Sequence, residues 1–380
     1  MNPLEDKAVG ALVGAAVGDA LGGATEGWTP EQIQDRHGGV VTGVVGPWFE
    51  DWRNARPIAP YHKGDGHVTD DTLMTHALVD VYGKVRGHLD AYSVAEELVP
   101  LLISGKRWVP ELETEALLLH RVFLAEKWMV TRLQYGHVDP REAGVGNIVN
   151  CGAAMYVAPV GVANAGDPQG AYAEAIDLAG AHQSSYGREA AGVYAAAVAA
   201  AMAPGATADD VLTACLGLAR DGTRAAIAAV AAAAEGQRDW QAAIPVLRAA
   251  VEPYDSVGPT YRQPGLDARR PSRLHSVEEL PVALGFVLVA AGGYRDAVLG
   301  AVNYGRDADS IATMAGGITG ALGGAGAVPR QWCEQVATAS RLDLETPGRV
   351  MAAVAAEMLA ADERRHAARQ RAMRTLQGSA

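Results

Sequence analysis

The chain has 380 residues, 49% hydrophobic and 20% charged, so it can bury a large core and is not a disordered segment. A formal net charge of −12 excludes a broad basic surface for nucleic acid. Aromatic residues are only 6%, glycines number 44 and alanine is abundant, which favours closely packed helices over a β-sandwich.

The first residues, Met1 to Lys7, are acidic where a signal peptide is basic. The apolar runs all fall short of the ~18 residues a membrane span needs. Cys151, Cys215 and Cys333 are widely spaced and form no Cys-x-x-Cys pattern, against a disulfide scaffold or zinc ribbon. A cytoplasmic protein, monomer or dimer, with no nucleic-acid or membrane partner, is expected.

In chain order, residues 6 to 22 read as a helix with Gly10, Gly14 and Gly18 along one face, where another helix can pack backbone-close. Thr29-Pro30 marks the next helix start, Thr as N-cap and Pro at the first position. Residues 38 to 68 hold Trp48, Trp52, His62 and His67 among Gly and Pro and read as a long loop, with an insertion at about 44–67. Helical patterns follow from Thr72, over 92–104 and over 111–133. A Gly/Asn/Pro-rich stretch fills 135–170. Ala-rich helices are expected near 169–181, 186–202, 207–219, 223–235 and 240–250. A Pro/Arg-rich loop at 252–275 leads to helices at 276–291, 294–303, 310–323, 329–339 and 346–375. The last carries Arg364, Arg365, Arg369, Arg371 and Arg374, read as a solvated basic face. No strand alternation persists, and no Gly-x-Gly-x-x-Gly or Walker loop occurs.

Two segments carry chemistry. Thr69-Asp70-Asp71-Thr72 and Asp307-Ala308-Asp309-Ser310 each place two carboxylates and a hydroxyl ahead of a helix. Helix capping explains one such side chain. It does not explain adjacent acids, which repel unless a cation or an arginine neutralises them. Carboxylate and hydroxyl oxygens are hard ligands for Mg²⁺, Mn²⁺ or Ca²⁺, and four carboxylates can hold two ions roughly 3.5–4 Å apart. Asp19, in Gly18-Asp19-Ala20-Leu21-Gly22, can end its helix or bind backbone, and Glu26 can be a surface acid. His62 and His67 share one loop.

Taken in order, Gly14-Ala15-Ala16-Val17-Gly18-Asp19-Ala20-Leu21-Gly22 with Glu26 and Thr29-Pro30, then Thr69-Asp70-Asp71-Thr72, then Gly305-Arg306-Asp307-Ala308-Asp309-Ser310-Ile311 resemble the ADP-ribosylglycohydrolase family, over about residues 6–335. The resemblance implies an all-α, single-domain orthogonal helical bundle over residues 1–380 with a binuclear metal site. It implies Thr69, Asp70, Asp71, Asp307, Asp309 and Ser310 as ligands of two divalent cations, Mg²⁺ or Mn²⁺. Glu26, Asp71 and Asp307 become the catalytic carboxylates. Asn150, Gly152, Ala153 and Met155, with His182, become the substrate-binding side. The implied reaction is hydrolysis of an N-glycosidic bond in an ADP-ribosylated acceptor, arginine on a protein, through an oxocarbenium-like state. Two other readings keep the motifs: hydrolysis of a small nucleoside-like or ribosylated metabolite, and a non-catalytic ADP-ribose-binding or crystallin-like relative. The sequence departs from the family's Gly-Asn-Gly at Asn150-Cys151-Gly152, carries Tyr156 where an Arg commonly follows the Met, and replaces Gly and Thr of the second acid motif by Arg306 and Ala308.

Overall fold

A computed structural model describes residues 1–47, 50–52, 63–109, 113–255, 258 and 276–378. His62, Trp48, His275 and much of the insertion at 44–67 and of the loop at 252–275 lie outside the described residues.

Among the described residues the architecture is all-α with one small hairpin. Helix α1 (Pro3–Gly22) is buried continuously from Ala8 to Gly22, so it has no polar face and sits inside the bundle. Helices α2 (Pro30–His37) and α3 (Asp70–Val85) follow, then a helical run of α4 (Ala91–Ser93), a π-type turn (Val94–Leu98) and α5 (Val99–Ser104). After the hairpin come α6 (Leu124–Val130), α7 (Ala158–Ala163), α8 (Pro168–Ala179), α9 (Ser185–Ala201), α10 (Ala208–Leu218), α11 (Asp221–Ala234) and α12 (Trp240–Val251). The remainder is α13 (Ser276–Val289), α14 (Tyr294–Tyr304), α15 (Ala308–Gly323), α16 (Arg330–Ser340) and α17 (Thr346–Leu376). No helix among the described residues is long and apolar enough to cross a membrane.

Helix α15 lies against α1 with almost nothing between the two backbones. A Cβ added at Gly14 would overlap the Gly316 carbonyl, and one at Gly18 would overlap the Ala312 carbonyl. Tyr294 on α14 clamps the crossing by donating its hydroxyl to the Gly14 carbonyl at 2.8 Å. The small-residue stripe therefore seats a neighbouring helix, and it brings Asp19 and the start of α15 to one place.

The expected helix over 111–133 is corrected. Lys106–Val109 (β1) pairs antiparallel with Thr114–Leu117 (β2). Pro110 disfavours helix for the residue before it. Trp108 is a strand former, and its ring stacks under Arg341 with the guanidinium carbon 3.6 Å from its centroid. The Leu-rich run that looks helical enters a single 3₁₀ turn (Leu118–His120), and α6 starts only at Leu124. The stretch 135–170 also holds one helix not expected there, α7, with Pro159 in its first turn. Beyond about residue 359, α17 runs mostly in solvent, including its arginines.

Glu174 on α8 ties three segments together. It accepts from Tyr82 Oη at 2.7 Å, the Leu89 amide at 2.8 Å and Asn164 Nδ2 at 2.8 Å. His88 stands between Glu174, at 2.6 Å, and Asp362 of α17, at 3.0 Å. The hydrogen bond to Glu174 raises His88 from its ordinary 6.5 to about 9, against partial burial. Because the folded value lies above the unfolded one, this contribution is complete below pH 6.5 and is lost as pH rises through about 9. His88 is more than a third exposed, so solvent screening leaves about 1 kcal/mol. The melting temperature is expected to fall about 1–2 °C across that interval. Scanning calorimetry of His88→Gln should show a flatter profile over the same pH range.

Candidate active site

The site forms where the C-terminal half of α1 meets the first turns of α3 and α15. Asp19 reaches from α1 to the start of α3. Its carboxylate accepts from the Thr69 amide at 2.9 Å, Thr69 Oγ1 at 2.6 Å and the Thr72 amide at 3.1 Å, with Thr72 Oγ1 a further donor. Asp19 thus binds backbone, and it does so on a helix other than its own. Thr69 is the N-cap of α3. At α15 the N-cap residue Asp307 makes no side-chain capping bond. Capping therefore leaves the acids Asp70, Asp71, Asp307 and Asp309 unexplained.

These acids converge. Ligand oxygens of Asp19, Asp71 and Asp309 lie within 4.8 Å of one another, as do those of Glu26, Asp307 and Asp309. Asp309 belongs to both groups. Asp71 Oδ1 is buried without a hydrogen-bond partner, whereas Oδ2 takes Thr69 Oγ1 at 3.2 Å. Burial raises the carboxyl pKa of Asp19, Asp70, Asp71 and Asp307. Asp19 is pushed up to about 6, with the hydrogen bonds from Thr69 and Thr72 opposing the shift. Asp70 is pushed up to about 7, with the Glu126 charge adding to burial and Lys63 opposing it. Asp71 and Asp307 are driven well above the usual range, by burial first and by neighbouring aspartates second. Acids held this close and this dry favour the charged form only if a cation joins them, so these buried groups could hold metal.

Of the other residues singled out in the sequence, Thr69, Asp70 and Ser310 are buried at the same helix starts. The stretch Asn150–Met155 adjoins them through Cys151, whose Sγ donates to Asp307 Oδ2 at 2.8 Å and lies 3.2 Å from Ser310 Oγ. Asn150 Oδ1 accepts from the Gly152 amide at 3.0 Å and from Gln183 Nε2. Gly152 has no room for a side chain: a Cβ would sit 2.9 Å from Asn150 Oδ1 and 3.2 Å from Glu126 Oε1. Ala153 and Met155 are buried in the core. His182 is fully buried, its Nδ1 3.2 Å from Tyr156 Oη and its Nε2 3.2 Å from Glu126 Oε1. The latter pair is at ion-pair distance without hydrogen-bond geometry. His67 lines a small cleft with Arg107, Trp108 and Arg121.

Four neighbours are absent from the sequence motifs. Lys63 pairs with Glu26 and, at 3.0 Å, with Asp309. Burial works against its ammonium charge, but Asp309, Asp70 and Asp307 together hold its pKa above the ordinary value. Glu126, Gln183 and Glu279 are fully buried beside the site's residues. Lys63 sits at the edge of the Trp/His-rich loop, and Glu278-Glu279 looks like an ordinary acidic helix start, so neither gave a signal. Arg306, where the family motif has Gly, takes a left-handed φ of 56°. Buried ion pairs hold it there, its Nη2 lying 2.9 Å from Glu278 and 3.0 Å from Asp255.

Fold and site define an all-α protein with an acid cluster buried where its central helix pair meets α3. The family model for ADP-ribosylglycohydrolase matches residues 1–369, and the chain belongs to that family. It is therefore an enzyme that hydrolyses glycosidic bonds, which sets aside the non-catalytic reading. Among curated relatives, ADP-ribosylarginine hydrolase Tri1 of Pseudomonas putida (strain GB-1) is 27% identical over 324 residues, 81% of this chain and 76% of the relative. A solved structure described as an ADP-ribosylglycohydrolase-related protein complex shares the fold, with a TM-score of 0.63 at 20% identity over 93% of this chain and all of that one.

Proposed function

We propose that the chain releases ADP-ribose from an ADP-ribosylated acceptor, arginine on a protein, with the help of two divalent cations, Mg²⁺ or Mn²⁺. The observation that carries the metal part is the run of buried acids Asp71, Asp309 and Asp307, with Asp71 Oδ1 buried and unpartnered. Thr69, Asp70, Asp71, Asp307, Asp309 and Ser310 would hold the ions. When bound, such ions fix ribose hydroxyls and lower the pKa of a coordinated water.

The chain's own groups do the rest. Glu26, Asp71 and Asp307 are the carboxylates available to take the proton from the attacking water. Lys63, paired with Glu26, holds that carboxylate beside Asp309. Asp19 fixes the start of α3 by its four hydrogen-bond donors, so Asp70 and Asp71 are set before substrate arrives. Asn150, Gly152, Ala153 and Met155, with His182, would form the nucleotide side. The Pseudomonas relative, an ADP-ribosylarginine hydrolase, supports arginine as the acceptor.

One observation favours a second substrate. Tyr156 stands where the family commonly has Arg, and it is buried against His182 instead of offering a cation to a phosphate. A small ribosylated metabolite would suit such a site. Titration of chelator-stripped protein with Mn²⁺, with and without ADP-ribose, tests the metals. About two ions per chain, bound more tightly with ADP-ribose, are expected. Turnover assays on ADP-ribosyl-arginine protein and on small N-ribosides then separate the substrates. Absence of Mn²⁺ binding overturns the proposal.

A further inference from the structure

A third cluster shares only Asp307 with the acids above. Cys151 Sγ, a Glu279 carboxylate oxygen and an Asp307 carboxylate oxygen lie within 4.8 Å of one another. They come from three elements: the 3₁₀ turn at Cys151–Ala153, the first turn of α13 and the N-cap of α15. Glu279 is 0% exposed, and neither of its carboxylate oxygens has a hydrogen-bond partner. Protonation does not remove that anomaly, because a neutral carboxyl still has a donor and an acceptor to satisfy. Arg306 pairs with Glu278 and Asp255. Cys151, for its part, points its thiol at Asp307.

We propose that Cys151, Glu279 and Asp307 form a site for one thiophilic divalent transition ion of the Zn²⁺ or Co²⁺ class, with solvent as the fourth ligand. A tetrahedral ion with sulfur at ~2.3 Å and oxygens at ~2.0–2.2 Å holds its ligand atoms about 3.5 Å apart, which small side-chain rotations reach from the observed spacing. A thiolate with two carboxylates selects such ions over Mg²⁺, whereas the all-oxygen groups around Asp309 do not. Binding releases the thiol proton, and any proton on Glu279 or Asp307, to solvent. The site goes beyond the hydrolytic reading and does not require it.

The test is a Co²⁺ titration of the full, chelator-stripped chain, read as the thiolate-to-cobalt charge-transfer band in the near ultraviolet. A saturating band is expected in the wild type and in Cys215→Ser and Cys333→Ser. It should vanish in Cys151→Ser, and Glu279→Gln should move its midpoint about tenfold or more to higher Co²⁺. No band in the wild type, a band surviving Cys151→Ser, or an unmoved midpoint in Glu279→Gln overturns the assignment. If Cys151→Ser does not fold by circular dichroism, Glu279→Gln decides, since its thiol is intact. Mn²⁺ binding gives no such band, so loss of the hydrolytic reading and loss of this site register separately.

Discussion

Asp309→Asn is expected to lower kcat/KM for ADP-ribose release about 10³-fold, some 4 kcal/mol of transition-state stabilisation. Asp309 is common to both all-oxygen groups, so its carboxylate serves each prospective ion. Asn keeps the volume and the ability to accept from the Ser310 amide, which lies 3.1 Å from Asp309 Oδ1. The fold should survive, and circular dichroism should match the wild type. Mn²⁺ stoichiometry and turnover should fall together. A variant keeping full stoichiometry and more than about a tenth of the turnover would remove Asp309 from the proposed ligand set.

Gly18→Val is expected to cost at least about 3 kcal/mol of stability, because the new side chain meets the Ala312 carbonyl of α15. For a chain this long that is a drop of roughly 4 °C or more in melting temperature. The effect should reach the chemistry as well. Asp19 is the next residue, and Asp309 lies one turn from Ala312, so parting the two helices pulls apart the Asp19, Asp71 and Asp309 group. Folded protein recovered from this variant should bind Mn²⁺ more weakly. Gly217→Ala is the control: its Cβ meets nothing on α10, so the change should be neutral or stabilising by up to about 1 kcal/mol. Equal melting temperatures for Gly18→Val and wild type would refute the close-packing account.

Much of the helical skeleton was legible because its signals are local. Thr29-Pro30 starts α2 and the glycine stripe marks a backbone-close face, and both follow from neighbours in sequence. The region 111–133 misled because leucine and alanine run together there, while the strand pairing that captures Thr114–Leu117 lies across the hairpin. At the site, the acid motifs were visible as motifs. Their meeting was not, since it depends on how α1, α3 and α15 cross. Lys63 and Glu279 were invisible for the same reason: each is an ordinary residue until the fold places it against Asp309 or Asp307. The change from Asn to Cys at position 151 was visible as a departure, but its consequence needed the thiol's contact with Asp307.

The pairing of α1 with α15 also bears on when the enzyme can come into being. The Tyr294–Gly14 clamp spans 280 positions, and Lys63 meets Asp309 across 246. A ribosome must therefore synthesise through α15 before α1 meets its main partner, and until then the glycine face of α1 lacks the helix that covers it. Such long-range closure is slow and leaves hydrophobic surface open to association in the meantime. Newly made chains should thus lean on chaperones up to the moment α15 emerges. A translation product that stops before α15 should be inert instead of partly active, because Asp307 and Asp309 at the start of α15 complete both acid groups.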